Sequence, residues 1–203
     1  WTANGSGGGS WSATANTTPN QANRLGALTI SGRPGVNEFI ACDKDANAAP
    51  RIICYRSNFT PTWSNPANQI ISPTPPGTDA GIQRSYDIAF EPQIGSTALG
   101  VYSDNTATPK LKKYNASTNT WDASPTNLNG LGGTLESVRL IPPPAADDIL
   151  ILLSDTNQDL YSAVWDGSSD NLYLSPTGKA FSAHGLNGSA DLDFWFDFAW
   201  DKF

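Results

Sequence analysis

The 203-residue chain has no methionine, one histidine and only 15% charged residues. Each shortage closes off a class of chemistry. With His184 alone, a two-histidine metal site cannot form, and a Ser-His-Asp triad would have to place that one residue beside a nucleophilic serine. No Gly-x-Ser-x-Gly elbow is present to display such a serine. Lys and Arg total 12 against 19 Asp and Glu, for a net charge of −7. Phosphate backbones are bound by grouped Lys and Arg, so nucleic acid is excluded as the main partner. The one basic cluster, Lys110, Lys112 and Lys113, falls within a single expected strand. No run of 18 apolar residues occurs, so no membrane insertion by this segment is expected.

What the chain does have is 18 Gly, 15 Pro, an abundance of Ser, Thr, Asn and Asp, and 7 Trp, 6 Tyr and 8 Phe. Disordered chains have few aromatics, so this composition reads as a folded, turn-rich all-β protein. Residue 1 is Trp rather than Met, which points to a processed end or a start inside a longer chain. Cys42 and Cys54 are too far apart for a Cys-x-x-Cys motif. Placed on the two arms of one hairpin, they face each other across the turn, and a disulfide between them implies an oxidising compartment. A secreted or cell-surface location is therefore expected.

The sequence carries a degenerate repeat. Cys42, Pro50 and Tyr55 recur 59 residues later as Val101, Pro109 and Tyr114, and Leu99-Gly100-Val101-Tyr102-Ser103-Asp104 recurs 51 residues later as Leu150-Ile151-Leu152-Leu153-Ser154-Asp155. Tyr86-Asp87-Ile88-Ala89-Phe90-Glu91 returns after 110 residues, the sum of those offsets, as Phe196-Asp197-Phe198-Ala199-Trp200-Asp201. Strict alternation along 193–201 puts Phe194, Phe196, Phe198 and Trp200 on one face, which only a strand can do. Second strands are expected at 37–42, 98–102 and 148–153, and third strands at 51–56, 110–115 and 160–166. The chain then divides into units of approximately 1–25 plus 193–203, 26–80, 81–132 and 133–192.

Units of this length with three or four antiparallel strands resemble β-propeller blades. The segments 98–102 and 110–121, ending Tyr-Asn-x-Ser-x-x-x-Trp, resemble the blade-like repeats of secreted bacterial proteins. Trp165-Asp166-Gly167-Ser168 is distantly similar to the aromatic-Asp-Gly turn of fucose-type lectin blades. The resemblance implies an antiparallel propeller-like fold of about four blades, with closure between the N- and C-terminal strands. The alternatives are a β-sandwich or a section of a longer β-repeat array.

Candidate sites are few. Asp43-x-Asp45-x-Asn47 and Asp155-x-Asn157-x-Asp159 alternate oxygen side chains as a Ca²⁺ loop does, yet Asp and Asn cap tight turns in the same pattern. No other cofactor is indicated. Asp87, Glu91, Asp197 and Asp201 supply the paired carboxylates that glycoside hydrolysis requires, and also match a solvated strand face. Trp11, Trp63, Trp121 and Trp165 are candidate stacking platforms for sugar rings or, more simply, packing between units. Asn-x-Ser/Thr acceptors for glycosylation stand at Asn4, Asn16, Asn58, Asn115 and Asn187. The resulting expectation is a non-enzymatic extracellular structural or adhesive protein, such as the globular subunit of a surface appendage or filament. Its partners would be protein subunits of a surface assembly or surface glycans. The alternative is a glycan-binding, lectin-like β-propeller.

Overall fold

The computed structural model describes residues 2–3, 9–10, 25–45, 51–57, 63–64, 84–93, 95–157 and 159–173. Among these all regular structure is β. The strands in chain order are β1 (Thr2–Ala3), β2 (Gly9–Ser10), β3 (Leu25–Gly32), β4 (Phe39–Asp45), β5 (Arg51–Ser57), β6 (Trp63–Ser64), β7 (Tyr86–Phe90) and β8 (Thr97–Tyr102). They continue with β9 (Lys110–Asn115), β10 (Thr120–Trp121), β11 (Thr126–Asn127), β12 (Leu135–Ile141), β13 (Asp148–Asp155), β14 (Leu160–Asp166) and β15 (Asn171–Tyr173). No helix among the described residues is long and apolar enough to cross a membrane.

Three antiparallel meanders dominate: sheet I (β3-β4-β5-β6), sheet II (β7-β8-β9-β10, with β11 also on β9) and sheet III (β12-β13-β14-β15). They stack face to face like blades, with their first strands β3, β7 and β12 adjacent. Sheets I and II enclose Ile40, Cys42, Ile52 and Cys54 against Tyr86, Ile88, Phe90, Tyr102, Tyr114 and Trp121. Sheets II and III enclose Leu99, Val101 and Leu111 against Val138, Ile149, Ile151, Leu153 and Trp165.

Sheet II is therefore covered on both faces, and every residue of β7 is buried. This corrects the solvated-face reading of Asp87 and Glu91, which are 3% and 1% exposed. Alternation in β7 separates a face toward sheet I from a face toward sheet III, not inside from outside. The Asp87 carboxylate accepts hydrogen bonds from Thr29 Oγ1 of β3 (2.7 Å), Arg84 Nη2 (2.5 Å) and the Leu140 amide of β12 (2.8 Å). One side chain thus ties the first strands of all three sheets.

Cys42 and Cys54 are direct cross-strand neighbours in β4 and β5 and form the expected disulfide, with Cα atoms 4.0 Å apart. The 51-residue offset holds through the whole β8–β9 ladder, because Ala98 pairs with Tyr114 as Ile149 pairs with Trp165. The 59-residue offset does not. Cys42 pairs with Cys54 but Val101 with Leu111, so the connection is two residues shorter in sheet II and Tyr55 corresponds to Lys112 rather than Tyr114. A slip of two leaves the face unchanged, so the hydrophobic pattern survives it.

Candidate functional site

One end of the stack bears the β7–β8 and β14–β15 turns, and a cleft of about 290 Å³ opens there between sheets II and III. It is lined by Glu91, Thr97, Lys113, Asn115, Asp122 and Asp170, with Tyr114 and Gly167. Local structure places each of them. Glu91 directly follows β7, its amide bonded to the Thr97 carbonyl (3.0 Å), and its side chain reaches toward sheet III. Trp165, one residue from the end of β14, donates Nε1–H to Glu91 Oε1 at 2.8 Å. Asp166 accepts from the amide and hydroxyl of both Ser168 and Ser169, which folds the β14–β15 turn tightly and presents Asp170, in a left-handed conformation at φ 56°, to the cleft. Asp170 pairs with Lys113 Nζ, which itself lies 5.9 Å from the centre of the Trp165 ring. Gly167 is needed for the close approach. A Cβ there would stand 2.5 Å from the Asp147 carbonyl oxygen and 2.9 Å from Glu91 Oε1.

The electrostatics follow from burial. Desolvation raises the Glu91 pKa, against hydrogen bonds from Trp165 and Thr97 that lower it, with Asp147 and Asp170 adding to the rise. The Ser168 and Ser169 hydrogen bonds pull Asp166 down to about 2. The cleft thus combines three carboxyl groups, one of them with a raised pKa, with a lysine, a threonine hydroxyl and an asparagine amide.

The sequence-derived candidates are distributed as follows. Trp121 and Trp165 are 1% and 4% exposed and so offer no face to a sugar, which corrects the stacking role for both. Trp121 packs on Tyr114 with ring centres 5.2 Å apart. Trp11 and the Trp63 side chain lie outside the described residues. Asp155 caps its turn, accepting the Asn157 and Asp159 amides (3.0 and 3.1 Å), and also takes the Gly133 amide (2.6 Å) and the Tyr161 hydroxyl (3.1 Å). Asp43 and Asp45 lie within β4 rather than in a turn. Asn47 lies outside the described residues, among which no three His, Cys, Asp or Glu are placed to share a cation. Asn115 is exposed at the cleft and caps the β9–β10 turn through the Ser117 and Thr118 amides. Asn4, Asn16, Asn58, Asn187, His184, Asp197 and Asp201 lie outside the described residues. Sequence reasoning missed Thr97, Asp122 and Asp170, and saw Lys113 only within a basic cluster. The repeat offset that equates Tyr114 with Trp165 was the available signal for the cleft.

No protein-family model and no curated protein matches the chain. Several solved structures are similar to parts of the chain. A Bifidobacterium bifidum protein designated an exo-β-1,3-galactanase is similar over 83% of this chain and 56% of its own, at 11% identity and a TM-score of 0.49. The Phanerochaete chrysosporium exo-β-1,3-galactanase, in complex with β-1,3-galactotriose, is similar over 77% and 39%, at 16% identity and a TM-score of 0.46. The catalytic domain of a Coprinopsis cinerea α-L-arabinofuranosidase is similar over 70% and 46%, at 12% identity and a TM-score of 0.43. The chain spans about half or less of these proteins' length. These three are enzymes that act on glycans, not subunits of an appendage or filament. They correct two expectations drawn from the sequence, that of a structural or adhesive protein and that of a chain without enzymatic character.

Proposed function

We propose that this chain engages carbohydrate, with the cleft between sheets II and III as a subsite for one sugar ring. The observation that carries the reading is the cleft itself. About 290 Å³ is at the small end of ligand pockets, and its walls offer hydrogen-bond donors and acceptors around buried aromatic rings. A polyhydroxylated ring needs that mixture. The architecture is read as propeller-type and the location as secreted or cell-surface; residues 193–203 and most of 1–25, expected to close the ring, lie outside the described residues.

An array of neutral oligosaccharides tests this. The chain is expected to bind, and Gly167→Ala, which drives the β14–β15 turn off Glu91, to lose the signal while remaining folded by circular dichroism. An array without hits removes the reading. A single observation favours a hydrolytic step at the same place: burial raises the Glu91 pKa, the direction a general acid needs, and the group stands among other carboxylates. Release of nitrophenol from a panel of nitrophenyl glycosides, abolished in Glu91→Gln, is the expected outcome. No release by the native chain excludes that step.

A further inference from the structure

The charged groups that line the cleft between sheets II and III do not balance. Glu91, Asp122 and Asp170 supply three carboxyl groups, and Lys113 is the one cation of the lining. That cation is already engaged: its Nζ pairs with Asp170 and lies 5.9 Å from the centre of the Trp165 ring. Asp122 and Glu91 are left over. At the same end of the molecule, where Arg33 reaches the Gly95 carbonyl of the β7–β8 turn, the balance is opposite, with Arg33 and Arg56 both on Glu38. The carboxyl surplus thus belongs to the cleft and not to the whole rim.

Asp122 is both open and fixed. It is half-buried and directly follows β10. Its amide donates to the Lys113 carbonyl at 2.9 Å, and its Oδ2 accepts the Lys113 amide at 3.1 Å. Those two bonds hold the carboxyl against β9 without using Oδ1, which takes no hydrogen bond among the described residues. A carboxyl already held at the wall of a cavity loses little freedom when a ligand donates to it. Glu91 is buried, and burial holds its pKa up, with Asp147 and Asp170 adding to the rise. A positive charge brought into the cleft favours the ionised form and so offsets what burial and those two neighbours impose. A further carboxylate would do the reverse.

We propose that the cleft takes a cationic sugar, a 2-amino-2-deoxyhexose unit whose ammonium group donates to Asp122 Oδ1 while Thr97 and Asn115 meet the ring hydroxyls. The proposal rests on the glycan reading of this cleft and adds its charge class: amino sugars ahead of neutral ones, with acidic sugars refused.

Calorimetric titration of the full chain with a trimer of β-1,4-linked glucosamine and with cellotriose tests it, at mildly acidic pH where the amines are protonated. The two sugars differ only in carrying an ammonium or a hydroxyl group beside the ring linkage. The glucosamine trimer is expected to bind at least about tenfold more tightly than cellotriose, the scale of one hydrogen bond to a charged group. Asp122→Asn, which keeps the shape and removes the charge, should bring the two affinities together. Asp170→Asn, on an exposed turn, leaves Lys113 without its partner and should cut the preference as well if Asp122→Asn does not fold. A preference that survives both substitutions, or cellotriose binding as tightly as the glucosamine trimer, overturns the charge assignment and leaves the glycan reading standing. If the glucosamine trimer does not bind, the proposal falls, and the array of neutral oligosaccharides decides separately whether the glycan reading falls with it.

Discussion

The two inter-sheet interfaces use one backbone plan and fill it with different chemistry. Sheets I and II meet through five aromatic rings and a disulfide; sheets II and III meet mainly through aliphatic side chains. At their shared end one interface carries Arg33, Glu38 and Arg56 and the other Glu91, Thr97 and Lys113. The equivalent large rings are also used differently. Tyr114 donates its hydroxyl to Asn119 in the turn, whereas Trp165 donates inward to Glu91. The geometry of a stacked sheet is indifferent to the side chains at its rim, so those positions are free to diverge in charge while the core positions are held apolar.

The largest effect should come from the rings that close each interface. Trp165→Ala opens a large cavity and leaves the buried Glu91 carboxyl without its indole donor, so a loss of about 3–5 kcal/mol is expected in denaturant unfolding. Tyr114→Ala, with its hydroxyl bonded only at the turn, should cost less. Equal losses would show that the Glu91–Trp165 hydrogen bond adds nothing to the second interface.

Reduction of the disulfide should act on the first interface alone. Cys42 and Cys54 are 12 residues apart, and a loop of that size corresponds to about 3 kcal/mol. Urea midpoints with and without dithiothreitol measure it. Hydrogen exchange should then rise in β4 and β5 while β13 and β14 keep their protection, and uniform loosening would show that the sheets do not respond separately.

The smallest effect is on pH dependence, and it has opposite signs at two residues. Glu91 has a raised pKa in the fold, so the native state holds a proton that the unfolded state releases above its ordinary value of 4.5. Stability therefore falls as pH rises through that window. Asp166 is held at about 2 against an ordinary 3.8, so its contribution is present above 3.8 and is lost as pH falls toward 2. Urea midpoints across pH 2–7 should show Glu91→Gln flattening the upper slope and Asp166→Asn the lower. A Glu91→Gln curve parallel to the native one would mean that the carboxyl is solvated.

The strands were legible because period two is a backbone property. The second and third strands fall close to where the apolar alternation puts them, except that β4 runs on through Asp43 and Asp45, and the cystine follows from facing hairpin arms. The capping role of Asp155 was one of two readings that its spacing allowed. What alternation does not show is what lies on its polar side. Asp87 and Glu91 alternate with Tyr86, Ile88 and Phe90 in a pattern that a half-exposed strand would also have, and only the presence of sheet III turns that side into an interior. The same blindness hid the cleft, since Thr97, Lys113, Asp122 and Asp170 come from different strands and turns and meet only when the sheets stack. The two-residue slip between sheets I and II further obscured that Arg56 and Lys113 are counterparts.

Asp87 has a consequence for how the molecule comes apart. Stacked units that touch only their neighbours unfold piecemeal, each at its own free energy. The Asp87 carboxylate is shared between Thr29 of the first sheet and Leu140 of the third, so fraying either sheet strips a hydrogen bond from a buried charge in the middle one. Partial opening at either flank then carries a penalty felt across all three. A single aspartate in this way converts an array into a cooperative unit.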